Sequence, residues 1–175
     1  MFVTYFQHIS VTITDDNEAP VITSDGGGAT AAINVAENTT AVTFVTASDE
    51  DVPADTLSYN ITGGTDASLF TFNTSTGELE FVSGRDFETF TDADSNGVYE
   101  VQVTVDDGSV LTDVQDISVT ITDANEAPVI TSDGGGQTAA INVAENTTTV
   151  TFVTPRDEDL PAYTLRYKET TRYVS

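Results

Sequence analysis

Residues 98–105 read VYEVQVTV, and this stretch decides the fold class. Alternate side chains of an extended strand point to opposite faces, so the apolar residues of this stretch share one face. Those residues are Tyr99, Val101, Val103 and Val105. Residues 117–121 alternate in the same way, and no stretch of the chain has a convincing helical period. Further short strands are predicted at 41–47, 57–62, 69–73 and 78–82.

Turn-forming residues separate these runs. Clusters of Gly, Asp, Asn and Pro occur at 25–28, 63–64, 76–77 and 107–108. About seven short strands between such turns are typical of two packed antiparallel sheets. The sequence therefore predicts an all-β protein with the Greek-key β-sandwich fold.

The chain contains a domain-sized repeat. Residues 15–46 align without gaps with residues 123–154, and only three of those 32 positions differ. The match extends backward, because ISVTITD occurs at 9–15 and again at 117–123. A fixed period of 108 residues indicates a tandem array. We predict the last strand of a preceding repeat at 1–15, a complete repeat at 16–123, and the truncated first half of the next at 124–175.

The end of the chain departs from the repeat. Residues 168–175 abandon both the repeat pattern and the acidic bias. They indicate a cut or frame-damaged array, and the alternative is a capping sequence at a natural terminus. Because half a sandwich cannot bury its apolar face, we expect 160–175 to pack poorly.

The charge balance excludes several classes of partner. The chain has 29 acidic and 5 basic residues, and Arg85 is the one base before residue 156. Such acidity argues against binding to nucleic acid or to anionic lipid. No apolar run approaches the roughly 18 residues of a membrane span. Regular apolar alternation argues against disorder, although this net charge of −24 still costs stability.

The acidic residues are concentrated in turns and at strand ends. They occur in the segments 15–18, 36–38, 48–51, 85–88, 92–97, 106–108, 123–126, 144–146 and 156–159. Crowded carboxylates repel by about 1 kcal/mol per pair at about 4 Å even in water. Ca²⁺ suits such sites because it takes six to eight hard oxygen ligands, whereas Mg²⁺ prefers to keep its waters. Zn²⁺ and Cu²⁺ are disfavoured because the chain has no Cys and one His. The alternative is a solvated acidic surface.

The acidic motifs resemble those of the cadherin repeat in its bacterial cadherin-like form. The early-strand glutamate corresponds to Glu37, the DxD motif to Asp49 and Asp51, the LDRE motif to Asp86 and Glu88, the DxG aspartate to Asp107, and the linker to Asp123, Asn125 and Glu126. The upstream copy of the linker is Asp15, Asn17 and Glu18, and the second DxD is Asp157 and Asp159. The linker has Glu–Ala where the family often has Asp–Asn. Trp is absent, so the strand-swapped adhesion of classical vertebrate cadherins is not expected.

The resemblance implies calcium sites where two repeats meet. The downstream junction would combine Glu37, Asp86 and Glu88 with the linker at 123–126 and with Asp157 and Asp159. The upstream junction would combine Asp15, Asn17, Glu18, Asp49, Asp51 and Asp107. Each junction lacks some of the family's ligands in this chain.

A separate acidic loop has two interpretations. Asp92, Asp94 and Asn96 before Gly97 match the first half of an EF-hand loop, but the twelfth position is Val103 rather than Glu. The segment is therefore either a local Ca²⁺ loop or an Asp/Asn-rich turn.

The function that follows from the resemblance is structural, and no constellation of residues suggests an enzyme. We expect a calcium-binding repeat of an extracellular, membrane-anchored adhesin or stalk of a bacterial surface, in which Ca²⁺ rigidifies the array. Its partners would be neighbouring repeats, with a homophilic or glycan ligand. The alternative is a carbohydrate-binding accessory module of a secreted polysaccharide-active or matrix protein.

Overall fold

The structure, a computed structural model, describes residues 1–51, 56–159 and 166. Its strands are β1 (Val21–Ile22), β2 (Thr30–Ala36), β3 (Ala41–Phe44), β4 (Ala47–Ser48), β5 (Ser58–Gly63), β6 (Phe70–Asn73), β7 (Glu78–Phe81), β8 (Val98–Asp106), β9 (Thr112–Thr122), β10 (Val129–Ile130) and β11 (Pro155–Arg156). Short 3-10 turns lie at Ser24–Gly26, Ala67–Leu69 and Ser132–Gly134. Within these described ranges, no helix has the length and apolar character needed to cross a membrane.

Seven strands form two sheets within residues 30–122. The larger sheet has the order β2-β9-β8-β5, and the smaller has the order β3-β7-β6. β2 runs parallel to β9, whereas every other pairing in the two sheets is antiparallel. The all-β, seven-strand sandwich predicted from the alternation is confirmed. The short pairs β1–β4 and β10–β11 lie outside these two sheets.

The core lies between the two sheets and uses the alternating positions of β8 and β9. The four apolar residues predicted on β8 are each at most 1% exposed. Phe81 of the smaller sheet packs edge-on against Tyr99 of the larger one, with ring centroids 5.3 Å apart. Phe70 stacks on Phe81 at 4.5 Å. The Phe81–Tyr99 contact joins the two layers, whereas Phe70 and Phe81 are cross-strand neighbours within the smaller sheet.

Two parts of the sheet were not predicted from the alternation. β2 is rich in Ala, which is depleted in strands, and it forms because β9 pairs with it along its whole length. β9 begins five residues before the predicted run, at Thr112. Its early part is obscured by Gln115, a polar residue at a fully buried position. The side-chain NH2 group of Gln115 donates a hydrogen bond to the Gly28 carbonyl at 3.0 Å, whereas its Oε1 is buried without a partner among the described residues.

The second copy of the repeat has only the local part of the first. The pair β10–β11 repeats the pair β1–β4, and the hydroxyl of Thr151 donates to Asp133 as that of Thr43 does to Asp25. Residues 138–144, however, form no strand, although their sequence TAAINVA is identical to that of β2. Contacts between near neighbours in sequence are therefore reproduced, while the sheet that needs β9 is not.

The segment at 1–15 is exposed and forms no strand in this chain. The domain boundaries at 15 and 123 remain predictions. The expectation of poor packing at 160–175 lies outside the described residues, apart from residue 166.

The repeated heptapeptide allows a matched test of the core. Ile121 in β9 is 2% exposed, whereas Ile13, in the same ISVTITD context, is 92% exposed. We expect Ile121→Ala to lower the free energy of unfolding by about 2–5 kcal/mol, because it leaves a cavity in a packed core. Ile13→Ala should change it by less than about 0.5 kcal/mol. Urea denaturation followed by circular dichroism measures both, and equal losses would contradict this assignment of the core.

Candidate metal centre

Four carboxylates from four separate segments meet at one end of the larger sheet. They belong to Glu37, Glu88, Asp123 and Asp159, and one oxygen of each lies within 4.8 Å of the others. Glu37 follows β2 and Asp123 follows β9, and parallel strands bring their carboxyl ends to the same edge. Glu88 lies in the loop between β7 and β8, and Asp159 follows β11. We call these four residues the carboxylate cluster.

Glu37 is the buried member of the cluster and joins two of the other segments. Its Oε1 accepts a hydrogen bond from the Ala124 amide at 2.8 Å, and its Oε2 accepts one from the Phe87 amide at 3.0 Å. Its own amide donates to the Thr122 carbonyl at 3.0 Å, which continues the β2–β9 pairing. Glu37 therefore fixes the linker and the 85–88 loop relative to the sheet.

Arg85 anchors the start of the 85–88 loop through its side chain. The buried Arg85 guanidinium donates to the Ser83 carbonyl and to the Thr91 hydroxyl, and it lies 5.3 Å from the ring centroid of Phe81. The Asp86 carboxylate accepts hydrogen bonds from the Glu88 amide at 2.8 Å and the Thr89 amide at 3.2 Å. Asp86, which was predicted as a ligand, thus shapes the turn that presents Glu88 and is not one of the four clustered residues.

The linker and the second DxD motif are joined by direct hydrogen bonds. The Glu126 amide donates to Asp159 at 2.7 Å, and the Asp159 amide donates to Asp157 at 3.2 Å. The Asn125 side chain donates to the Glu126 carbonyl at 2.9 Å rather than entering the cluster. The Asn38 amide group donates to Glu126 Oε1 at 2.6 Å. Sequence reasoning missed Asn38, and the one signal for it was its position directly after Glu37.

The upstream junction repeats this arrangement. The Glu18 amide donates to Asp51 at 3.2 Å, and the Asp51 amide donates to Asp49 at 3.0 Å. The Asn17 side chain donates to Asp107 at 2.8 Å. Asp15 is exposed at the start of this linker. Among the described residues, these acids do not form a group comparable to the carboxylate cluster.

Asp107, rather than its neighbour Asp106, is the buried acid at the DxG position. It accepts hydrogen bonds from the amides of Ser109 and Leu111 as well as from Asn17. The Asn17 hydrogen bond is the main reason that the pKa of Asp107 lies below its usual value. Asp107 therefore ties the linker to the loop after β8.

Several carboxyl groups at the two junctions have raised pKa values. Desolvation, followed by the close approach of the Asp159 side chain and the charges of nearby acids, raises the pKa of Glu126 to about 7. Desolvation and the adjacent Asp49 raise the pKa of Asp51 to about 6. The pKa values of Glu88 and Asp123 are also raised, mainly by desolvation. Each junction thus holds carboxylates whose negative charge is poorly compensated.

The donor set fits a hard divalent cation. Four carboxylate oxygens at the junctions are buried and have no hydrogen-bond partner within the part of the chain that the structure describes. These are Oε2 of Glu126, Oδ1 of Asp159, and Oδ2 of both Asp49 and Asp51. A buried carboxylate oxygen without a partner is costly, and a cation removes that cost. All of the donors are oxygens, which is the ligand type that Ca²⁺ prefers.

The 92–97 loop is closed by its own hydrogen bonds. Both oxygens of the buried Asp92 accept backbone amides, from Asn96 at 2.8 Å and from Gly97 at 3.3 Å. Burial opposes ionisation of Asp92, but these bonds lower its pKa overall, whereas Asp92 itself raises the pKa of Asp94. The Asn96 side chain donates to Asp94 at 2.8 Å. These bonds account for a turn without an ion, and the local calcium loop remains a prediction.

Comparison with known proteins finds similar structures but no matching family model or curated sequence. Mouse cadherin-23 EC22-24 has a TM-score of 0.53 and 20% identity, with 82% of this chain and 45% of that chain covered. Human protocadherin-24 EC1-2 has a TM-score of 0.50 and 21% identity over 81% of this chain. Drosophila N-cadherin EC1-4 has a TM-score of 0.51 and 21% identity over the same share.

These structures are longer than the chain. It spans 62% of the protocadherin-24 chain and 34% of the N-cadherin chain. At 20–21% identity, what the likeness shows is a shared fold.

The raised pKa values predict how stability depends on pH when no metal is bound. Between pH 4.5 and about 7, the folded protein holds the Glu126 proton more tightly than the unfolded chain does. The free energy of unfolding should therefore fall as the pH rises through this window. The opposite effect of Asp107 lies below its ordinary pKa of 3.8. Urea titrations in EGTA at several pH values measure the slope.

Glu126→Gln should reduce this slope because Gln does not titrate, while Asp51, whose pKa is raised to about 6, keeps part of it. Glu80→Gln on β7 removes the same charge away from the cluster and should keep the slope. A urea midpoint that rises as the pH increases from 4.5 to about 7 would contradict the raised pKa of Glu126.

Proposed function

We propose that the junctions of this chain, which has a cadherin-like β-sandwich fold, bind Ca²⁺ and that the ion stiffens a tandem array. The array would be the stalk of an extracellular or cell-surface adhesin. The observation that carries this proposal is the carboxylate cluster, because its members lie before, within and after the linker that the sequence repeat predicts.

The ion follows from the chemistry of the donors. The cluster offers carboxylate oxygens alone, and an additional buried oxygen of Glu126 has no partner among the described residues. Ca²⁺ accepts such crowded and irregular oxygen sets, whereas Mg²⁺ demands near-octahedral geometry and dehydrates reluctantly. Glu37, Glu88 and Asp123 would hold the ion from one side, and Asp159 would hold it from the other. Bound Ca²⁺ would supply the positive charge that the cluster lacks.

The mechanical effect follows from the origin of these ligands. Without an ion, the carboxylates of Glu88, Asp123 and Asp159 repel one another across the linker. A single ion bound to all of them would hold two repeats at a fixed angle. The 16–123 unit already orients its own ligands, since Glu37 is fixed by two backbone amides. Ion binding therefore needs to order only the linker and the next unit.

The setting of the proposed function is extracellular. Sites of this kind bind with a Kd on the order of 10⁻⁴–10⁻³ M, which matches a medium with millimolar calcium. In a compartment with little calcium the array would stay flexible. The proposal is one of binding and mechanics, and it assigns no catalytic residue.

Calcium should stabilise the protein, and Mg²⁺ should do so much less. We expect the melting temperature to rise with Ca²⁺ because the ion binds the folded state. Replacing Glu88 and Glu126 together by Gln should remove most of this rise. The matched control replaces Glu78 and Glu80 on β7 by Gln, which removes the same charge and should leave the calcium effect intact. Calorimetry that detects neither heat nor stabilisation in millimolar Ca²⁺ would refute the site.

Stiffening needs a protein of at least three complete repeats, so that two junctions have all their ligands. Small-angle scattering should give a larger maximum dimension and a narrower distribution of shapes in Ca²⁺ than in EGTA. If both profiles are identical, the stiffening mechanism is wrong. A glycan array with and without Ca²⁺ then tests the carbohydrate-binding alternative.

A further inference from the structure

The turn that follows β2 contacts the downstream linker at two points. β2 ends at Ala36, and Glu37 and Asn38 form the turn. Glu37 accepts a hydrogen bond from the Ala124 amide, and the Asn38 side chain donates one to Glu126. Two consecutive residues of the turn therefore contact two residues of the same linker.

This double contact depends on the backbone conformation of Asn38. In an extended strand, the side chains of consecutive residues point to opposite faces. Asn38 instead has a φ of 61°, in the left-handed region that Asn tolerates better than most residues. The chain therefore turns at Asn38, and its side chain reaches the same linker as that of Glu37.

Backbone hydrogen bonds and close packing fix the turn. The Asn38 backbone amide donates to the Arg85 carbonyl at 2.8 Å, and the Thr39 hydroxyl donates to the Ala36 carbonyl at 2.7 Å. Gly84 packs so closely that a Cβ atom there would lie 3.1–3.3 Å from the Asn38 backbone. Asn38 therefore presents its side chain from a well-defined position, although the residue is exposed.

The two carboxylate oxygens of Glu126 have different surroundings. Oε1 accepts the hydrogen bond from Nδ2 of Asn38 at 2.6 Å, whereas Oε2 is buried and has no partner among the described residues. The Glu126 backbone amide is bonded to Asp159, and the charges of Glu37 and Glu88 act on its carboxylate. Glu126 therefore lies beside the carboxylate cluster with one oxygen held and the other available.

We propose that Asn38 is a positioning residue of the metal centre, whose hydrogen bond to Oε1 turns Oε2 of Glu126 toward the ion and makes Glu126 a fifth ligand. This inference rests on the proposed function of the junction. A Glu side chain has several rotatable bonds, and fixing them costs conformational entropy. The Asn38 side chain fixes them before the ion binds, and loss of such a hydrogen bond to a ligand lowers metal affinity by about 10- to 100-fold.

A neutral donor suits this role. Lys or Arg at position 38 would form an ion pair with Glu126 and would cancel part of the charge that attracts the cation. The Asn38 side chain donates a hydrogen bond and carries no charge of its own. The site thus gains an ordered ligand while the negative charge of Glu126 remains available to the ion.

Asn38→Gly in the full chain tests the proposal. Glycine adopts a φ of 61° without strain, so the turn should keep its backbone conformation while the Nδ2 donor is lost. The matched control is Asn146→Gly, because Asn146 has a φ of 65° in an identical AENTT sequence and is not hydrogen-bonded to Glu126. Circular dichroism checks that each protein keeps the sandwich, and melting curves are recorded over a range of Ca²⁺ concentrations.

Asn38→Gly should need about 10-fold more Ca²⁺ than the parent chain for the same rise in melting temperature, whereas Asn146→Gly should need the same amount as the parent. Each rise is measured against the same protein in EGTA, so a general loss of stability does not affect the comparison. Glu126→Ala keeps the four-member cluster and hence part of the calcium effect. In this background Asn38→Gly should change the calcium dependence no further, because the ligand that it orients is absent.

Asn38→Asp gives a second measurement that needs no ion. Asp also tolerates a positive φ, but it places an oxygen opposite Glu126 where Asn places its NH2 donor. In EGTA at alkaline pH, where both carboxylates are ionised, the melting temperature should fall more for Asn38→Asp than for Asn146→Asp. The extra fall should disappear in the Glu126→Ala background.

An Asn38→Gly protein with the calcium dependence of the parent would overturn the proposal, and so would an equal effect of this change in the Glu126→Ala background. Equal melting temperatures of Asn38→Asp and Asn146→Asp would also overturn it, because the contact with Glu126 would then be absent. In each case, a parent chain that is stabilised by Ca²⁺ leaves the proposed function standing. A parent chain that does not respond to Ca²⁺ would refute the proposed function and this inference together.

Discussion

The parallel pairing of β2 with β9 is the contact on which the rest of the structure depends. It joins the first long strand of the unit to the last, and it brings Glu37 and Asp123 to the same edge of the sheet. The hydrogen bond from the Glu37 amide to the Thr122 carbonyl extends the pairing into the site. The chain contains its own control, since residues 138–144 repeat β2 exactly in sequence and form no strand. An Ala-rich heptapeptide is a strand here because of its neighbour and not because of its own propensity.

The one Arg before residue 156 positions a loop and leaves the clustered acids without a basic partner. The sole base before residue 156, Arg85, is buried between Ser83, Thr91 and the ring of Phe81, where it shapes the loop that presents Glu88. Its charge is therefore used for positioning and does not form an ion pair with the clustered acids. Desolvation, together with the charges of Glu37, Asp159 and Glu88, raises the pKa of Glu126. Such an arrangement costs stability in the metal-free protein and favours the binding of a cation.

The parts of the fold that sequence predicted are those where one face of a strand is buried and the other is solvated. β8 and the end of β9 alternate regularly, so their strands and buried residues followed directly from the pattern. β2 and the start of β9 were missed because Ala and the buried Gln115 break the apolar alternation. The carboxylates of the site could be identified from their motifs. Which of these side chains enter the cluster and which bond to nearby backbone groups could not. Asp86 and Asn125 use their side chains on nearby backbone groups, and Asn38 reaches Glu126 from 88 residues away in sequence.

The two ends of the β2–β9 sandwich are complementary rather than alike. One end presents Asp51 and Asp107 to the linker that precedes them, and the other presents Glu37 and Glu88 to the linker that follows. A unit with two different and matching ends can be repeated without limit in one direction, as in other tandem arrays. The stretch 15–46, which is copied at 123–154 with three differences, supplies parts of both ends. Its linker bonds to Asp107 and Asp51 at one end, and its Glu37 bonds to the linker that follows at the other.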